Sequence, residues 1–240
     1  TSIIFLIYMF YYLSKYTKII IKLNQILNFK KIKDIFAINL NIFIRTILLT
    51  FSFLWFTYLG TQIGEDYVAA NAILINLVFL SAFILDAYAF STEGIVGYSL
   101  GKKDLNLFKR IIKNSFILSS VTGLIISIIF FFSHNSVINL MSDINEIRIL
   151  SSSYVVWLIV LPIISSFCYQ FDGIFIGTSQ TKELRNAMIF SVLIYLIISI
   201  LLTKFLFNTG IWISLCIFMI LRAISLFYYL DKIYLRFRSN

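Results

Sequence analysis

NSFILSSVTGLIISIIFFFSHNSVINLMS, residues 114–142, contains no Asp, Glu, Lys or Arg. The hydrocarbon core of a bilayer is crossed by roughly 20 mainly apolar residues in helical form, and this run exceeds that length. Its apolar residues do not alternate with polar ones, as the strands of a membrane barrel require, so the helix is the form that satisfies its backbone. Charge-free runs of similar kind recur at 46–64, 67–85, 149–171, 186–203 and 205–221, and a shorter one opens the chain at 1–14. Over all 240 residues, 60% are apolar and 13% charged, where soluble domains use about 45–50% and about 25%. Mean hydropathy is +0.93. The fold class is therefore all-α and integral to a membrane.

The net charge of +9 could suggest nucleic acid, but the positions of the cations exclude it. Lys15, Lys18, Lys22, Lys30, Lys31 and Lys33 precede the first full span. Lys102, Lys103, Lys109, Arg110 and Lys113 follow the second, Lys182 and Arg185 the fourth, and Lys232, Arg236 and Arg238 the sixth. The alternate loops hold Glu65, Asp66, Asp143 and Glu146, with Arg148 and Lys204 as their only cations. By the positive-inside rule the basic set is cytoplasmic. Six spans at about 37–60, 67–99, 111–132, 149–178, 186–206 and 210–230 fit this alternation. They make 37–230 a six-helix transmembrane lobe and 231–240 a basic cytoplasmic tail. Residues 15–36 mix Lys with Ile and Leu at helical spacing and read as an amphipathic linker on the cytoplasmic surface. Residues 1–14 are apolar, too short to span and without an initiator Met, so they read as the end of a helix in a fragment. The bilayer itself is the first partner this sequence implies, and the connections leave no room for a soluble catalytic domain. Cys168 and Cys216 lie in apolar runs, as buried hydrophobes do. His134 stands in a polar stretch between spans, so no metal cluster forms round it. Pro162, inside the fourth span, is expected to kink that helix.

Ionisable residues within spans carry the functional information, because each is expensive in lipid and faces a bundle interior or a wet cavity. Arg45 lies on the first span, Asp86 and Glu93 on the second, Asp172 on the fourth and Arg222 on the sixth. Counting residues along each span puts Arg45 and Glu93 at matched depth on antiparallel helices, which predicts an ion pair. The arginines can serve simply as charge partners that lock the helices. Alternatively Asp86, Asp172 or Glu93 is a carboxylate that takes up H⁺ or Na⁺ during a transport cycle. Asn71, Asn76, Tyr169 and Gln170 are polar groups at membrane depth that either bond neighbouring helices or line a cavity. Gly173-x-x-x-Gly177, and Gly94, Gly97 and Gly101 after Glu93, have the spacing of close helix contacts.

VAANAIL (68–74), LDAYAFSTEGIVGYSLGKKD (85–104), LPIISSFCYQFDGIFIGTSQTKELRNAM (161–188) and LRAISL (221–226) together resemble the C-terminal half of MATE multidrug and toxin extrusion transporters. The FDGIFIG core and the ELRNAM continuation are most similar to the DinF-like branch. The resemblance covers 37–230 and implies helices seven to twelve of a twelve-helix transporter, with 15–36 as the linker between lobes. It implies an N-terminal six-helix lobe missing from this chain and localisation in the cytoplasmic (inner) membrane. The implied activity is export of organic, drug-like solutes in exchange for H⁺ or Na⁺, with no other cofactor and no catalytic residue. Asp172 matches an acidic position that several members use for cation binding. Those members also carry an acid on helix seven, where this sequence has Arg45 instead. In the DinF-like branch the resemblance assigns ion coupling chiefly to the N-terminal lobe.

Two other functions compete. A lipid-linked oligosaccharide flippase of the same superfamily shares the helical layout, and Arg45 and Arg222 suit a more cationic cavity. A membrane-embedded enzyme would need a His, Cys or clustered-carboxylate site near an interface, and the sequence offers one histidine and isolated acids.

Overall fold

The computed structural model describes Phe5, Tyr8, Met9, Tyr11, Tyr12 and residues 29–238. The chain divides into two compact units, 1–39 and 40–240. In the first, the five described residues before 29 are helical and exposed, and the Tyr8 and Tyr12 rings stack 6.2 Å apart. The remainder of the helix end at 1–14, and residues 15–28 of the expected linker, lie outside the described residues. From Phe29 the backbone is already helical, so 29–36 belongs to the first long helix.

The helices are α1 (Phe29–Thr61), α2 (Glu65–Gly101), α3 (Leu105–Met141), α4 (Asn145–Ser153), α5 (Val155–Gly177) and α6 (Thr181–Arg238). Among the described residues there is no strand. α6 is two arms joined at Phe207, whose backbone is left-handed at φ 49°. The Tyr195 and Phe218 rings lie 5.1 Å apart, and Lys232 Nζ bonds Glu183 Oε1 at 3.2 Å. Each contact joins residues on opposite sides of Phe207, so the arms run antiparallel. At the bend Gly210 sits against the Leu202 carbonyl, where any Cβ would overlap it. Counting α4 with α5 as one crossing gives six apolar crossings: an all-α integral membrane bundle.

Three boundaries differ from the sequence expectation. α2 and α3 have 37 residues each, about 55 Å at 1.5 Å per residue, well beyond the hydrocarbon core. His134 is accordingly half-buried on α3, near its end, and not in an inter-span loop. The fourth span breaks at Tyr154, between α4 and α5, whereas Pro162 lies within uninterrupted helix. Next to the proline, Ser127 Oγ donates to the Ile159 carbonyl at 2.6 Å, and Gly123 admits the Pro162 carbonyl 2.9 Å from where its own Cβ would stand. A neighbouring helix thus packs closely at the proline and bonds the carbonyl next to the one that proline frees. The helix also runs on through 231–238, where a tail was expected.

α5 is the centre of the bundle, with α2, α3 and α6 packed round it. α3 instead turns Ile117, Leu118, Val121, Leu124, Ile125, Ile128 and Phe132 outward. Their spacing of three and four makes one helical stripe, the face a bilayer would cover. Phe108 packs on Tyr234 and Phe237, and Gly97 approaches the Gly177 carbonyl, so the turns at 102–104 and 178–180 and the end of α6 share one end of the bundle. That end holds Lys102, Lys103, Lys109, Lys182, Arg185 and Lys232. The other end carries Glu65 and Asp66 after α1, Asp143 and Glu146 after α3, and the Phe207 bend.

Candidate functional site

Gly173 and Gly177 bring α5 into backbone contact with α2. A Cβ on Gly173 would overlap the Ala89 carbonyl, and one on Gly177 would overlap the Glu93 carbonyl. Gly97 answers from α2, where a Cβ would stand 3.0 Å from the Gly177 carbonyl. Gly94 and Gly101 face open space and have no such role. With α2 against the glycine face, Asp172, about 100° round the helix from Gly173, turns to α1 and α6.

There it meets two arginines. Arg222 Nη2 of α6 donates to Asp172 Oδ2 at 2.7 Å, and Arg45 Nη2 of α1 donates to the same oxygen. Asp172 is 5% exposed and Arg222 1%. Arg222 is further held over the Phe218 ring at 5.5 Å, with Nη1 3.4 Å from Met219 Sδ. Arg45 is delivered by a polar clamp one turn away on the same helix. Asn41 Nδ2 donates to Thr181 Oγ1 at 3.2 Å, and Arg185 Nη1 donates to Asn41 Oδ1 at 2.9 Å. Asp172 Oδ1 and Arg45 Nε have no hydrogen-bond partner among the described residues. The cluster thus joins three helices through one carboxylate oxygen and carries more positive than negative charge.

The expected Arg45–Glu93 pair does not form; Arg45 is committed to Asp172. Glu93 has its backbone pressed on Gly177, is half-buried, and enters no ion pair among the described residues. Ala89 lies against Gly173 and Glu93 against Gly177, so Glu93 stands about one turn along α2 from the level of Asp172; residue counting gives neither that offset nor which side of α2 faces α1. Asp86 is half-buried and makes no hydrogen bond or ion pair among the described residues, yet it lies within electrostatic reach of Asp172, Arg45 and Arg222. Tyr169 is buried. Gln170 is fully buried and accepts from Thr92 Oγ1 at 2.9 Å, tying α5 to α2, while its Nε2 has no partner among the described residues. Cys168 and Cys216 are both buried and unbonded to each other.

A second polar group forms at the acidic end. Asn71 Nδ2 donates to Asn208 Oδ1 at 2.6 Å, Asn208 Nδ2 returns a bond to Asn71 Oδ1 at 3.1 Å, and Trp212 Nε1 donates to the same Asn71 oxygen at 2.9 Å. Asn208 is fully buried although the sequence put it in the short connection at 207–209, so its role was missed. Asn76 is exposed and, with Asn71, lines a pocket between α1 and α2.

A family model described as MatE matches residues 42–202. DNA damage-inducible protein F of Escherichia coli strain K12 is 30% identical over 199 residues, which is 83% of this chain and 42% of that protein. A crystal structure of MATE in complex with MaL6 superposes with a TM-score of 0.77 at 15% identity, covering 87% of this chain and 48% of that one. A MOP superfamily transporter from Pyrococcus furiosus Vc1, described by the reverse polarity of its binding pocket, gives a TM-score of 0.74 at 19% identity, covering 82% and 44%. The chain thus spans about half the length of the proteins it matches.

Proposed function

The chain belongs to the MatE family, and from that premise we propose that it is the C-terminal lobe of an antiporter that exports organic, drug-like solutes across the cytoplasmic membrane in exchange for H⁺ or Na⁺. Transport by the family supports the coarse reading, and an N-terminal six-helix lobe supplies the other half of the pathway. The Lys- and Arg-rich end of the bundle faces the cytoplasm, so the C-terminus is inside.

The observation that carries the reading is the buried charge cluster of Arg45, Asp172 and Arg222 beside Asp86. Ionisable groups at membrane depth mark substrate or ion pathways. Coupling needs a group whose charge differs between conformations. Asp172 already holds two guanidinium groups, which leaves little attraction for a further cation. Asp86 has no such bond, and it is the carboxylate of this lobe best placed to exchange a proton. Its charge would reach the arginines through a low-dielectric interior, so its protonation would tilt the cluster and the helices that share it. Glu93 takes a supporting part only.

The test is the complete protein in sealed vesicles, with efflux of a cationic dye followed under imposed pH or Na⁺ gradients. Dye movement that depends on a gradient is expected. Gradient-independent movement, or movement only of lipid-linked sugar, would reject the antiporter.

A further inference from the structure

The pocket between α1 and α2 has a volume of about 130 Å³ and is lined by Phe56, Thr57 and Gly60 on α1 and by Asn71, Ile75 and Asn76 on α2, among others. A cavity of about 150 Å³ in another protein admits one benzene ring, so this space suits a single aryl ring. No Asp, Glu, Lys or Arg lines it.

Its best-fixed polar group is Asn71. Asn71 is locked by Asn208 and Trp212, and both lone pairs of its Oδ1 are in use. One of its two N–H donors goes to Asn208 and the other is left over. A Cβ on Gly60 would stand 3.6 Å from Asn71 Nδ2 and 3.5 Å from Val68 Cγ2. The bare glycine therefore opens that nitrogen to the pocket. The Phe56 ring beside it is held edge-on by Trp212, with centroids 4.9 Å apart. A preset donor next to an aromatic wall, with no charged side chain in the lining, is a recognition element for an acceptor on a flat ring.

We infer that this pocket binds the uncharged aryl end of a solute, with a carbonyl oxygen on the ring accepting from the spare Asn71 N–H. The inference rests on the export reading for the wider solute class and adds which part of the solute this lobe holds. A plain hydrocarbon ring would leave the N–H unsatisfied, and an ammonium group, itself a donor, could not accept from it.

The probe is 4-azidoacetophenone, photolysed in membranes containing the complete protein, with the labelled residues mapped by mass spectrometry. Label is expected within 56–76, displaced by acetophenone at concentrations about tenfold below those of ethylbenzene, the discrimination expected of one hydrogen bond. Gly60→Leu fills the pocket, and its Cβ makes only ordinary contacts, so the fold should hold. Thr57→Phe narrows the same space from an exposed position. Both variants should lose the label while thermal unfolding is unchanged. Equal displacement by the two competitors, undiminished label in both variants, or label spread over the lipid-facing phenylalanines overturns the inference. Labelling in the pocket without dye export would instead reject the antiporter and leave the pocket standing.

Discussion

Arg222 of α6 reaches 50 residues back along the chain to bond the buried Oδ2 of Asp172 at 2.7 Å. Both partners are almost wholly buried, so neither charge can be solvated alone. Removing one partner of such a pair costs about 3–5 kcal/mol, mainly because the other is stranded. Arg222→Met is expected to lower thermal stability in detergent by that order. Asp172→Leu should do at least as much damage, since it leaves two guanidinium groups without their acceptor. The double variant should be less destabilised than the sum of the two single changes. Strict additivity in that cycle would mean the bond contributes nothing.

The glycines make a sharper packing test, because three of the five (Gly97, Gly173 and Gly177) meet backbone across the α2–α5 contact and two (Gly94 and Gly101) do not. Gly173→Ala and Gly177→Ala force a Cβ into the Ala89 and Glu93 carbonyls, and overpacking of this kind costs about 1–3 kcal/mol. Gly94→Ala meets nothing within 4 Å and should be neutral or stabilising by up to about 1 kcal/mol, the helix preference of Ala over Gly. Melting temperatures of the purified variants decide the matter. Equal effects at Gly94 and Gly177 would show that the α2–α5 contact is looser than described.

Much of this was legible beforehand, and the failures have physical causes. The charge-free runs gave six crossings because lipid tolerates so few ionised groups, and the same rule picked out Arg45, Asp172 and Arg222. Pairing was not legible. Counting residues gives only an approximate depth and no azimuth, so Arg45 was matched to Glu93, which lies against Gly177, instead of Asp172 one turn away. Asn208 escaped because hydropathy cannot tell a tight bend from a loop. The helix reverses at Phe207 within one residue, and the following amide is buried at once. Gly173 and Gly177 were read as close contacts from spacing alone, but the identical interval from Gly97 to Gly101 has only its first member in contact.

Both cysteines of this chain are buried, which leaves a quiet background within this lobe for mapping the sidedness of the bundle. A cysteine at Lys102, exposed on the α2–α3 turn, should react with a membrane-impermeant maleimide only after the cells are opened. One at Asp143, exposed on the α3–α4 turn, should react in intact cells. The bias of Lys and Arg toward the first end motivates this orientation. Reaction of the Lys102 position from outside, with Asp143 silent, would invert the topology.

Asp86 and Asp172 separate coupling from architecture. Asp172→Asn disturbs a bonded cluster, so reduced transport by that variant could reflect loss of structure. Asp86 makes no bond that substitution would break among the described residues, and Asp86→Asn is close to isosteric. If its proton exchange drives the lobe, Asp86→Asn should lower gradient-driven dye efflux about tenfold, equivalent to ~1.4 kcal/mol on the limiting step. Membrane insertion and melting temperature should stay at wild-type values. The dependence on external pH should flatten as well, because the asparagine amide cannot titrate, whereas simple damage to packing would lower efflux at every pH alike. Asp86→Glu restores a titratable group and should recover part of both the rate and the pH response. Wild-type efflux with an unchanged pH profile in Asp86→Asn would remove this lobe from the coupling step and leave its charge cluster a purely structural tie.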